Sequence, residues 1–335
     1  MTAKRQNKTV LIAGGAGFLG SHLCDFYIDK GLNVVCLDNL STGRERNARH
    51  LAKHRNFEFV NADICKKLPS MVTKQKYVAV INMASPASPP QYQRLAIETL
   101  MAGSIGTLNL LDVANQSGAR YFHASTSEVY GDPEVHPQTE KYWGKVHCYG
   151  PRSMYDESKR FSEALIFSYR KKYKLSTAIA RFFNTYGPRM DPLDGRVVSN
   201  FIVEALRGDP ITIYGNGSQT RSFCYVDDLV RGIALFINSN ESGPMNLGNP
   251  GEFTISELAK KIVNKTGSKS SIAYLPLPKD DPTQRKPDTT LALKALGWKP
   301  TVKLDEGLDK TIEYFAKEIT HLPTKGAVKM PMPHS

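Results

Sequence analysis

The sequence predicts an α/β fold in which helices cover both faces of a parallel sheet, with a smaller α+β lobe toward the C-terminus. Over residues 9–182, short apolar runs rich in β-branched residues alternate with stretches of helical periodicity. This alternation is typical of a doubly wound, Rossmann-type sheet. A glycine-rich segment, 14–20, directly follows the first apolar run. Such sheets bind ligands at the carboxyl ends of their strands, where this segment lies.

Each predicted element follows from a local pattern. Apolar runs predict six strands, which are Thr9–Ala13, Asn33–Leu37, Phe57–Asn61, Val78–Met83, Tyr121–Ala124 and Thr177–Phe182. Apolar residues at helical spacing predict three helices between them, which are Phe18–Lys30, Leu95–Ser117 and Arg152–Tyr173. After residue 184, loops rich in Gly and Pro separate shorter predicted helices, which are Val198–Arg207, Val226–Asn238, Ile255–Lys265 and Leu304–Lys317.

The glycine-rich segment predicts a dinucleotide site. Gly14 permits a tight turn, Gly17 lets the backbone approach a pyrophosphate, and Gly20 allows the helix to pack closely on the strand. The helix that begins with Phe18 and Leu19 then directs its free N–H groups at the phosphates. A glycine triplet alone is a weak signal, and its place between a strand and a helix makes it specific.

Acidic residues after the second and third strands extend this site. Asp38 can accept hydrogen bonds from the adenosine ribose and repel a 2′-phosphate, which favours NAD over NADP. Arg44 and Arg46 follow closely and could bind a 2′-phosphate, so NADP remains an alternative cofactor. The further cofactor contacts that we predict are Asn39, Asp63, Ile64 and Ala84.

A second group of residues predicts acid–base chemistry. Tyr155 and Lys159 lie four residues apart, so both occupy one face of a helix. We expect the ammonium of Lys159 to lower the pKa of the Tyr155 phenol and to bond the nicotinamide ribose. Thr126 and Glu128 follow the fifth strand, where a hydroxyl and a carboxylate can reach the same substrate. Each of these patterns is a weak signal by itself. The prediction of a catalytic site is stronger because the glycine-rich segment, the Thr126 segment and the Tyr155/Lys159 pair occur in the expected order along the chain.

Composition and patterning define the class of protein and its domains. No apolar stretch among the 335 residues approaches the roughly 18 residues of a membrane span, and the first apolar run is too short for a signal peptide. Five scattered cysteines without a CxxC pair predict reduced thiols, no metal site and a cytoplasmic protein. The chain has a net charge of +12 but no nucleic-acid-binding motif, so we expect the positive charge to steer an anionic substrate.

We predict an NAD-binding domain (1–184) and a mainly substrate-binding lobe (185–320), with the chain able to cross between them. We also predict a disordered tail (321–335).

Together these residues resemble the extended short-chain dehydrogenase/reductases. Longer strings are similar to the UDP-glucuronic acid decarboxylase family, and they are Met83–Pro89, Ser125–Pro133, Gly150–Glu157, Asp194–Phe201 and Arg285–Asp288. The likeness extends from Lys8 to Ile319. It implies that NAD is held throughout the cycle, that the substrate is UDP-glucuronate, and that C4 oxidation, loss of carbon dioxide and re-reduction give UDP-xylose. It also implies a homodimer formed through a helix bundle that includes the Tyr155 helix.

The resemblance assigns roles to individual residues. Thr126 and Tyr155 would polarise the C4 oxygen, with support from Lys159. Glu128 would act with a water near the C5 carboxylate, and Arg285 would lie near the carboxylate and the diphosphate. The further substrate contacts that it implies are Ser85, Asn184, Arg189, Arg196, Val197, Tyr214 and Arg221. Arginine suits phosphate because its planar fork binds two oxygens at once.

Three segments depart from the family pattern, and several activities stay open. His147-Cys148-Tyr149 replaces Asn-Pro-Ile, Ser158 replaces Gly or Ala, and Gly103-Ser104 stands where Asn is usual. Nucleotide-sugar 4,6-dehydratases use an Asp-Glu pair where this chain has Ser127-Glu128, and a 4-epimerase would leave Glu128 without a role. The chain could also be a decarboxylase that releases the 4-keto-pentose, a ring-contracting enzyme that forms UDP-apiose, or a non-catalytic NAD-binding sensor or scaffold.

Overall fold

Residues 8–276 and 284–320, which the computed structural model describes, form fourteen strands and eleven α-helices. The strands are β1 (Thr9–Ala13), β2 (Asn33–Asp38), β3 (Phe57–Asn61), β4 (Ala79–Asn82), β5 (Arg120–Thr126), β6 (Thr177–Phe182), β7 (Thr185–Tyr186), β8 (Ile211–Tyr214), β9 (Thr220–Ser222), β10 (Cys224–Tyr225), β11 (Met245–Leu247), β12 (Glu252–Thr254), β13 (Ile272–Leu275) and β14 (Gln284–Arg285). The helices are α1 (Phe18–Asp29), α2 (Ser70–Thr73), α3 (Pro89–Arg94), α4 (Ala96–Met101), α5 (Thr107–Ser117), α6 (Ser153–Tyr173), α7 (Val197–Arg207), α8 (Val226–Ile237), α9 (Ile255–Thr266), α10 (Thr290–Leu296) and α11 (Leu304–Ile319).

Seven strands form one sheet in the order β11-β6-β5-β4-β1-β2-β3. Every neighbouring pair in it is parallel. Strand order reverses beside β1, which lies between β2 and β4, and a crevice opens there at the carboxyl ends of the strands. The predicted doubly wound sheet is confirmed, and the crevice is the place where this fold binds a ligand.

Successive side chains of β1 pack on opposite faces of this sheet. Val10 and Ile12 join a hydrophobic cluster with α1, α7 and α8, whereas Leu11 and Ala13 join a second cluster with α5 and α6. All five residues of β1 are buried. A strand covered on both sides has no polar face, which explains why β1 is apolar from Val10 to Ala13 rather than alternating.

The chain returns to the sheet after leaving it. β11 follows residue 184, the predicted end of the first domain, and pairs with β6. The core of the C-terminal elements, including Phe201, Leu258 and Phe315, is continuous with the cluster on one face of the sheet. The smaller sheets of this region have the orders β10-β7, β12-β9-β14 and β13-β8. The boundary at residue 184 stays a prediction.

The helix predicted over Leu95–Ser117 is irregular. It begins at Ala96, and a π-helical segment, Ala102–Gly106, separates α4 from α5. A Cβ on Gly106 would lie 2.5 Å from Ile64 Cδ1, so the segment approaches the loop after β3 closely. No helix within residues 8–276 and 284–320 is long and apolar enough to cross a membrane. The predicted disordered tail lies outside the described residues.

Candidate active site

The glycine-rich turn between β1 and α1 lies against the end of β4. Gly14 has a φ of +76°, and a Cβ added to it would lie 2.7 Å from the carbonyl carbon of Met83. A Cβ on Gly20 would lie 2.0 Å from the carbonyl oxygen of Gly14, so close packing here requires glycine. The first turn of α1, with Phe18 and Leu19, has no capping side chain and no acidic residue. Its backbone N–H groups therefore fit a diphosphate.

Asp38 ends β2 beside this turn. Its Oδ2 accepts a hydrogen bond from the Ala16 N–H at 3.0 Å, and its Oδ1 accepts one from the Leu40 N–H at 2.8 Å. Burial raises the pKa of the Asp38 carboxyl, and the two hydrogen bonds oppose that increase. A Cβ on Gly43 would lie 2.6 Å from Asp38 Oδ1, so the following loop closes against the carboxylate. This arrangement fits a ribose held between the turn and β2.

Arg44 and Arg46, the two arginines that left NADP as an alternative cofactor, are each paired with a carboxylate. Arg44 Nη2 donates to Asp191 on the loop before α7, and Arg46 Nη2 pairs with Glu318 on α11. A 2′-phosphate would have to compete with these carboxylates for the guanidinium groups. The two ion pairs therefore favour NAD over NADP.

The other predicted cofactor contacts, together with Ser85, lie at the ends of neighbouring strands. Asn39 and Asp63 each accept a hydrogen bond from the backbone N–H two residues further on, at 3.0 and 2.8 Å. Ile64 is buried, and the backbone of Ala84 would lie 2.8 Å from a Cβ on the first glycine of the turn. Ser85 Oγ donates to the next backbone carbonyl at 3.0 Å. The ends of β1 to β4 thus line one crevice.

Tyr155 and Lys159 lie near the beginning of α6, beside the end of β5. Lys159 Nζ donates to the carbonyl oxygen of Ala124 at 2.7 Å and lies 5.8 Å from the centre of the Tyr155 ring. The Thr126 hydroxyl, at the end of the same strand, hydrogen-bonds the Tyr155 side chain. The fold thus brings Thr126, Tyr155 and Lys159 together.

Burial dominates the electrostatics of this pair. It raises the pKa of Tyr155 to about 12, although the hydrogen bond from Thr126 and the charge of Arg196 lower it. Burial also lowers the pKa of Lys159 to about 8. Desolvation of the phenolate therefore dominates in the chain by itself, where Lys159 Nζ is bound to a backbone carbonyl. That Lys159 lowers the pKa of Tyr155 stays a prediction.

Glu128 lies in a partly buried ion cluster. Its Oε2 accepts a hydrogen bond from Arg152 Nη2 at 2.6 Å, and Arg285 Nη1 lies 3.4 Å from its Oε1. Arg285 is only 3% exposed and also donates to the carbonyl oxygens of Ser127 and Gly131. Burial opposes ionisation of Glu128, but Arg285 and Arg152 outweigh it and lower the pKa to about 2. Glu128 is thus a carboxylate at neutral pH.

The C-terminal lobe contributes further cations. Arg221 and Arg285 are partners in the parallel pair of β9 and β14, and the charge of Arg221 also stabilises the Glu128 carboxylate. Arg196 precedes α7 and forms a bidentate ion pair, at 2.5 and 2.8 Å, with the carboxylate two residues before it. Its charge acts on the phenol of Tyr155. Three predicted arginines therefore lie within electrostatic range of Glu128 or Tyr155.

The remaining predicted substrate residues occupy separate places. The carbonyl of Asn184, after β6, accepts a hydrogen bond from the backbone of β10 at 2.9 Å. Val197 begins α7, and Tyr214 ends β8 with an exposed ring. Arg189 Nη2 instead pairs with Asp25 Oδ2 on α1 at 2.6 Å. We therefore leave Arg189 out of the proposed substrate site.

Comparisons with known proteins identify the family. Residues 11–311 match the model of the family described as GDP-mannose 4,6 dehydratase. UDP-glucuronic acid decarboxylase 1 of Xenopus tropicalis is 49% identical over 331 residues, which cover 99% of this chain and 77% of that protein. The protein of the same name from Danio rerio is 51% identical over 319 residues, which cover 95% of this chain and 75% of that protein. The chain belongs to the UDP-glucuronic acid decarboxylase family.

A solved structure that is similar to this member of the UDP-glucuronic acid decarboxylase family has the same fold. UDP-glucuronic acid 4-epimerase from Bacillus cereus, in complex with UDP-glucuronic acid and NAD, is 26% identical with a TM-score of 0.84. The match covers 92% of this chain and 99% of that chain. The shared fold therefore includes a protein in which a nucleotide sugar and NAD are bound together.

Two departures of this chain from the family pattern pack against each other. A Cβ on Gly103 would lie 2.6 Å from the Cβ of Ser158, so the Ser158 side chain occupies space that a larger residue 103 would need. Ser158 Oγ donates to the Tyr155 carbonyl at 2.8 Å. The third departure, His147-Cys148-Tyr149, has exposed side chains, with Tyr149 91% exposed. It adds no side chain to the ion cluster around Glu128.

Three residues around Tyr155 were not predicted from the sequence. Arg152 and Asp156 both belong to the family-like string Gly150–Glu157, but no role was predicted for either residue. Arg152 lies three residues before Tyr155, a spacing that places both on one side of a helix. Tyr92 on α3 stacks on Tyr155 with ring centres 5.0 Å apart and planes inclined by 8°. Asp156 is buried on α6. No local signal distinguishes Tyr92 or Asp156, because only the packing of α3 and α6 buries them.

Proposed function

We propose that the chain decarboxylates UDP-glucuronate to UDP-xylose with NAD as its resident cofactor. The observation that carries this proposal is the ion cluster in which Arg285, Arg152 and Arg221 all stabilise the ionised form of one carboxylate, Glu128. Arginines grouped in this way suit a substrate that brings its own carboxylate and diphosphate. The names of the relatives support the same reaction.

Thr126, Tyr155 and Lys159 would act at C4 of the sugar. The C4 hydroxyl would lie between the Thr126 hydroxyl and the Tyr155 phenol, which takes its proton. When bound, NAD supplies the hydride acceptor for C4 and a positive charge near the phenol, which opposes the effect of burial on its pKa. Lys159, held by a backbone carbonyl of β5, would orient and stabilise the phenolate.

Oxidation at C4 would prepare the neighbouring carboxylate to leave. A ketone at C4 is β to the carboxylate on C5, so the electron pair of the breaking bond flows into an enolate. Arg285 and Arg152 would orient the carboxylate, and Glu128 would position a water beside C5 while holding both guanidinium groups in place. Exclusion of water favours the step because the concentrated charge of the carboxylate becomes spread over the enolate as neutral carbon dioxide leaves.

The same proposal assigns the cofactor to residues 1–184 and the nucleotide sugar mainly to residues 185–320. Support for NAD comes from the glycine cradle, from Asp38, and from the pairing of Arg44 and Arg46 with carboxylates. The similar Bacillus cereus epimerase binds NAD in its solved structure. These observations together favour NAD over a phosphorylated dinucleotide.

We also infer that the chain forms a homodimer. The helices α4, α5 and α6, with the π-helical segment, carry exposed apolar side chains, and α4 packs on α6. The members of this α4–α6 face are Ile97, Leu100, Met101, Ile105, Leu108, Phe161 and Phe167. A contiguous apolar face of this kind marks an association surface, and two copies related by a twofold axis would cover it.

Product analysis tests the proposed function directly. Purified protein is incubated with UDP-glucuronate and NAD, carbon dioxide and NADH are quantified, and the nucleotide sugar is identified by mass spectrometry and NMR. We expect carbon dioxide and UDP-xylose in equal amounts without net NADH. Equimolar NADH with a UDP-4-keto-pentose would identify the keto-sugar-releasing relative. A protein that binds NAD but releases no carbon dioxide is not a decarboxylase.

A further inference from the structure

Asp156 is a buried carboxyl group that the proposed steps at C4 and C5 do not use. It directly follows Tyr155 on α6, is 6% exposed, and its Oδ1 has no hydrogen-bond partner among the described residues. The phenol oxygen of Tyr92, whose ring stacks on Tyr155, is also buried without a partner there. Each buried polar atom without a partner destabilises a protein. Two of them beside a reacting group indicate a place where substrate or water completes the hydrogen bonding.

Ionisable groups from four parts of the fold surround Asp156. They are Glu128 after β5, Arg152 before α6, Glu157 and Tyr155 on α6, Arg285 on β14, and Tyr92 on α3. Burial and the negative charge of Glu128 raise the pKa of Asp156 to about 7, against the attraction of the two arginines. The beginning of a helix normally favours a carboxylate, so burial prevails over the helix dipole here. Asp156 thus holds a proton in many molecules at neutral pH.

The proposed reaction takes up one proton that no other residue of the cluster can readily supply. Loss of carbon dioxide leaves an electron pair on C5, and the new C–H bond needs a proton. Tyr155 receives one proton from the C4 hydroxyl, and that proton is needed again at the C4 oxygen during re-reduction. Glu128, with its pKa lowered to about 2, holds no proton at neutral pH. A second acid is therefore required beside the sugar.

We propose that Asp156 stores the proton that is delivered to C5 after decarboxylation. This inference rests on the proposed function. The proton leaves the Asp156 carboxyl, a water bonded to the unpartnered Oδ1 carries it, and the electron pair on C5 takes it to form the C–H bond. Asp156 then regains a proton from solvent. Over one turnover, one carboxylate and one solvent proton are consumed, and carbon dioxide and one C–H bond are formed.

The variant Asp156→Asn tests this role, because the amide keeps the size of the protonated acid but has no proton to donate. In a single turnover we expect carbon dioxide to be released within about threefold of the wild-type rate. UDP-xylose formation should slow by about a hundredfold, which is typical for loss of a general acid. The unprotonated enolate should persist together with NADH, and enolate that is released takes up its C5 proton from solvent and is recovered as UDP-4-keto-pentose. The matched control Glu313→Gln makes the same change of acid to amide on the exposed face of α11, away from Asp156, and should keep both rates within about twofold.

The wild-type protein provides a second test that needs no variant. Only protonated Asp156 can supply the proton, so the ratio of UDP-xylose to carbon dioxide should fall as the pH rises through about 7. A ratio that stays constant from about pH 6 to about pH 8 would overturn the inference, as would an unchanged ratio in a folded Asp156→Asn variant. Wild-type protein that releases no carbon dioxide would overturn the proposed function itself.

Discussion

Opposing electrostatic influences act on Tyr155 at the scale of a single residue. Burial raises the pKa of its phenol to about 12, whereas the hydrogen bond from Thr126 lowers it. Lys159, whose own pKa is lowered to about 8 by burial, donates to a backbone carbonyl. A phenol with this pKa is neutral at pH 7, so its ionisation has to be coupled to charge that the ligands bring. Tyr155 would therefore act as a base only in the loaded enzyme.

The variant Tyr155→Phe tests that role. It should reduce carbon dioxide release by at least about a hundredfold, because no other group near C4 can take the hydroxyl proton. NAD affinity, measured by calorimetric titration, should change by less than about threefold, since the ring remains in place. The control Tyr173→Phe removes a hydroxyl from the exposed end of the same helix and should retain full activity. Wild-type turnover by Tyr155→Phe would show that the base lies elsewhere.

At the scale of elements, α8 holds the chain segment that leads into α11. The buried carboxylate of Asp228 accepts hydrogen bonds from the backbone N–H groups of Thr301 and Val302, both at 2.8 Å. The indole N–H of Trp298 donates to the Asp228 carbonyl at 2.9 Å. A Cβ on Gly232 would lie 2.8 Å from that indole nitrogen, so only glycine leaves space for the ring. One turn of α8 thereby determines where the last helix begins.

Removing the carboxylate at this junction should therefore reduce stability strongly. Asp228→Ala removes the acceptor of two partly buried backbone N–H groups and of the Thr301 hydroxyl, and we expect the free energy of unfolding to fall by about 2–3 kcal/mol. Chemical denaturation monitored by circular dichroism would measure this loss. Asp227→Ala removes an exposed carboxylate from the adjacent position, and its effect should stay within about 0.5 kcal/mol. Similar midpoints for the two variants would argue against a structural role for Asp228.

The contact between the π-helical segment and α6 is a second feature of element scale. Since a Cβ on Gly103 would lie 2.6 Å from both the Cβ and the carbonyl oxygen of Ser158, Gly103→Ala should destabilise the protein by about 1–3 kcal/mol. In a Ser158→Gly background part of that loss should be recovered, which gives a coupling energy of about 1 kcal/mol in a double-mutant cycle of unfolding free energies. Equal losses in both backgrounds would show that the two positions are independent.

For the whole molecule, the α4–α6 face is the feature that a single chain leaves unexplained. Its apolar side chains come from two segments of the sequence and meet only because α4 packs on α6. Helix α6 carries Tyr155 and Lys159 near its beginning, and it carries Phe161 and Phe167 on the α4–α6 face. A dimer formed here would hold α6 rigidly from outside and so support the geometry of the site.

Charge placed on this face should dissociate the dimer. The double variant Ile105→Glu with Phe161→Glu introduces like charges that would be buried in the interface, and we expect sedimentation equilibrium to give the mass of a single chain. Leu293→Glu, at a half-exposed position on α10, is the matched control and should leave the dimer intact. A wild-type protein of monomer mass, or a double variant that stays dimeric, would exclude this face as the interface.

Much of the fold could be predicted because its signals are local. Strands β1 to β6 are apolar runs bounded by turns, and the structure has them within two residues of the predicted ends. The strand β11 has only three residues, Met245–Leu247, and no periodicity that sequence reasoning could use. It exists because the edge of β6 offers it a partner. The same applies to Arg152, Tyr92 and Asp156, whose burial depends on how separate elements pack.

The sequence by itself determined the alternation of strands and helices, the glycine turn, and the placement of Tyr155 and Lys159 on one helix face. These features depend on steric preferences within a few residues of each other. Only the tertiary structure decided which cations hold Glu128 and how strongly Tyr155 resists ionisation. Arg152 and Arg285 lie 24 and 157 positions from Glu128 along the chain. Coulomb and desolvation energies depend on distance in space and on burial, and both arise only when the whole chain is packed.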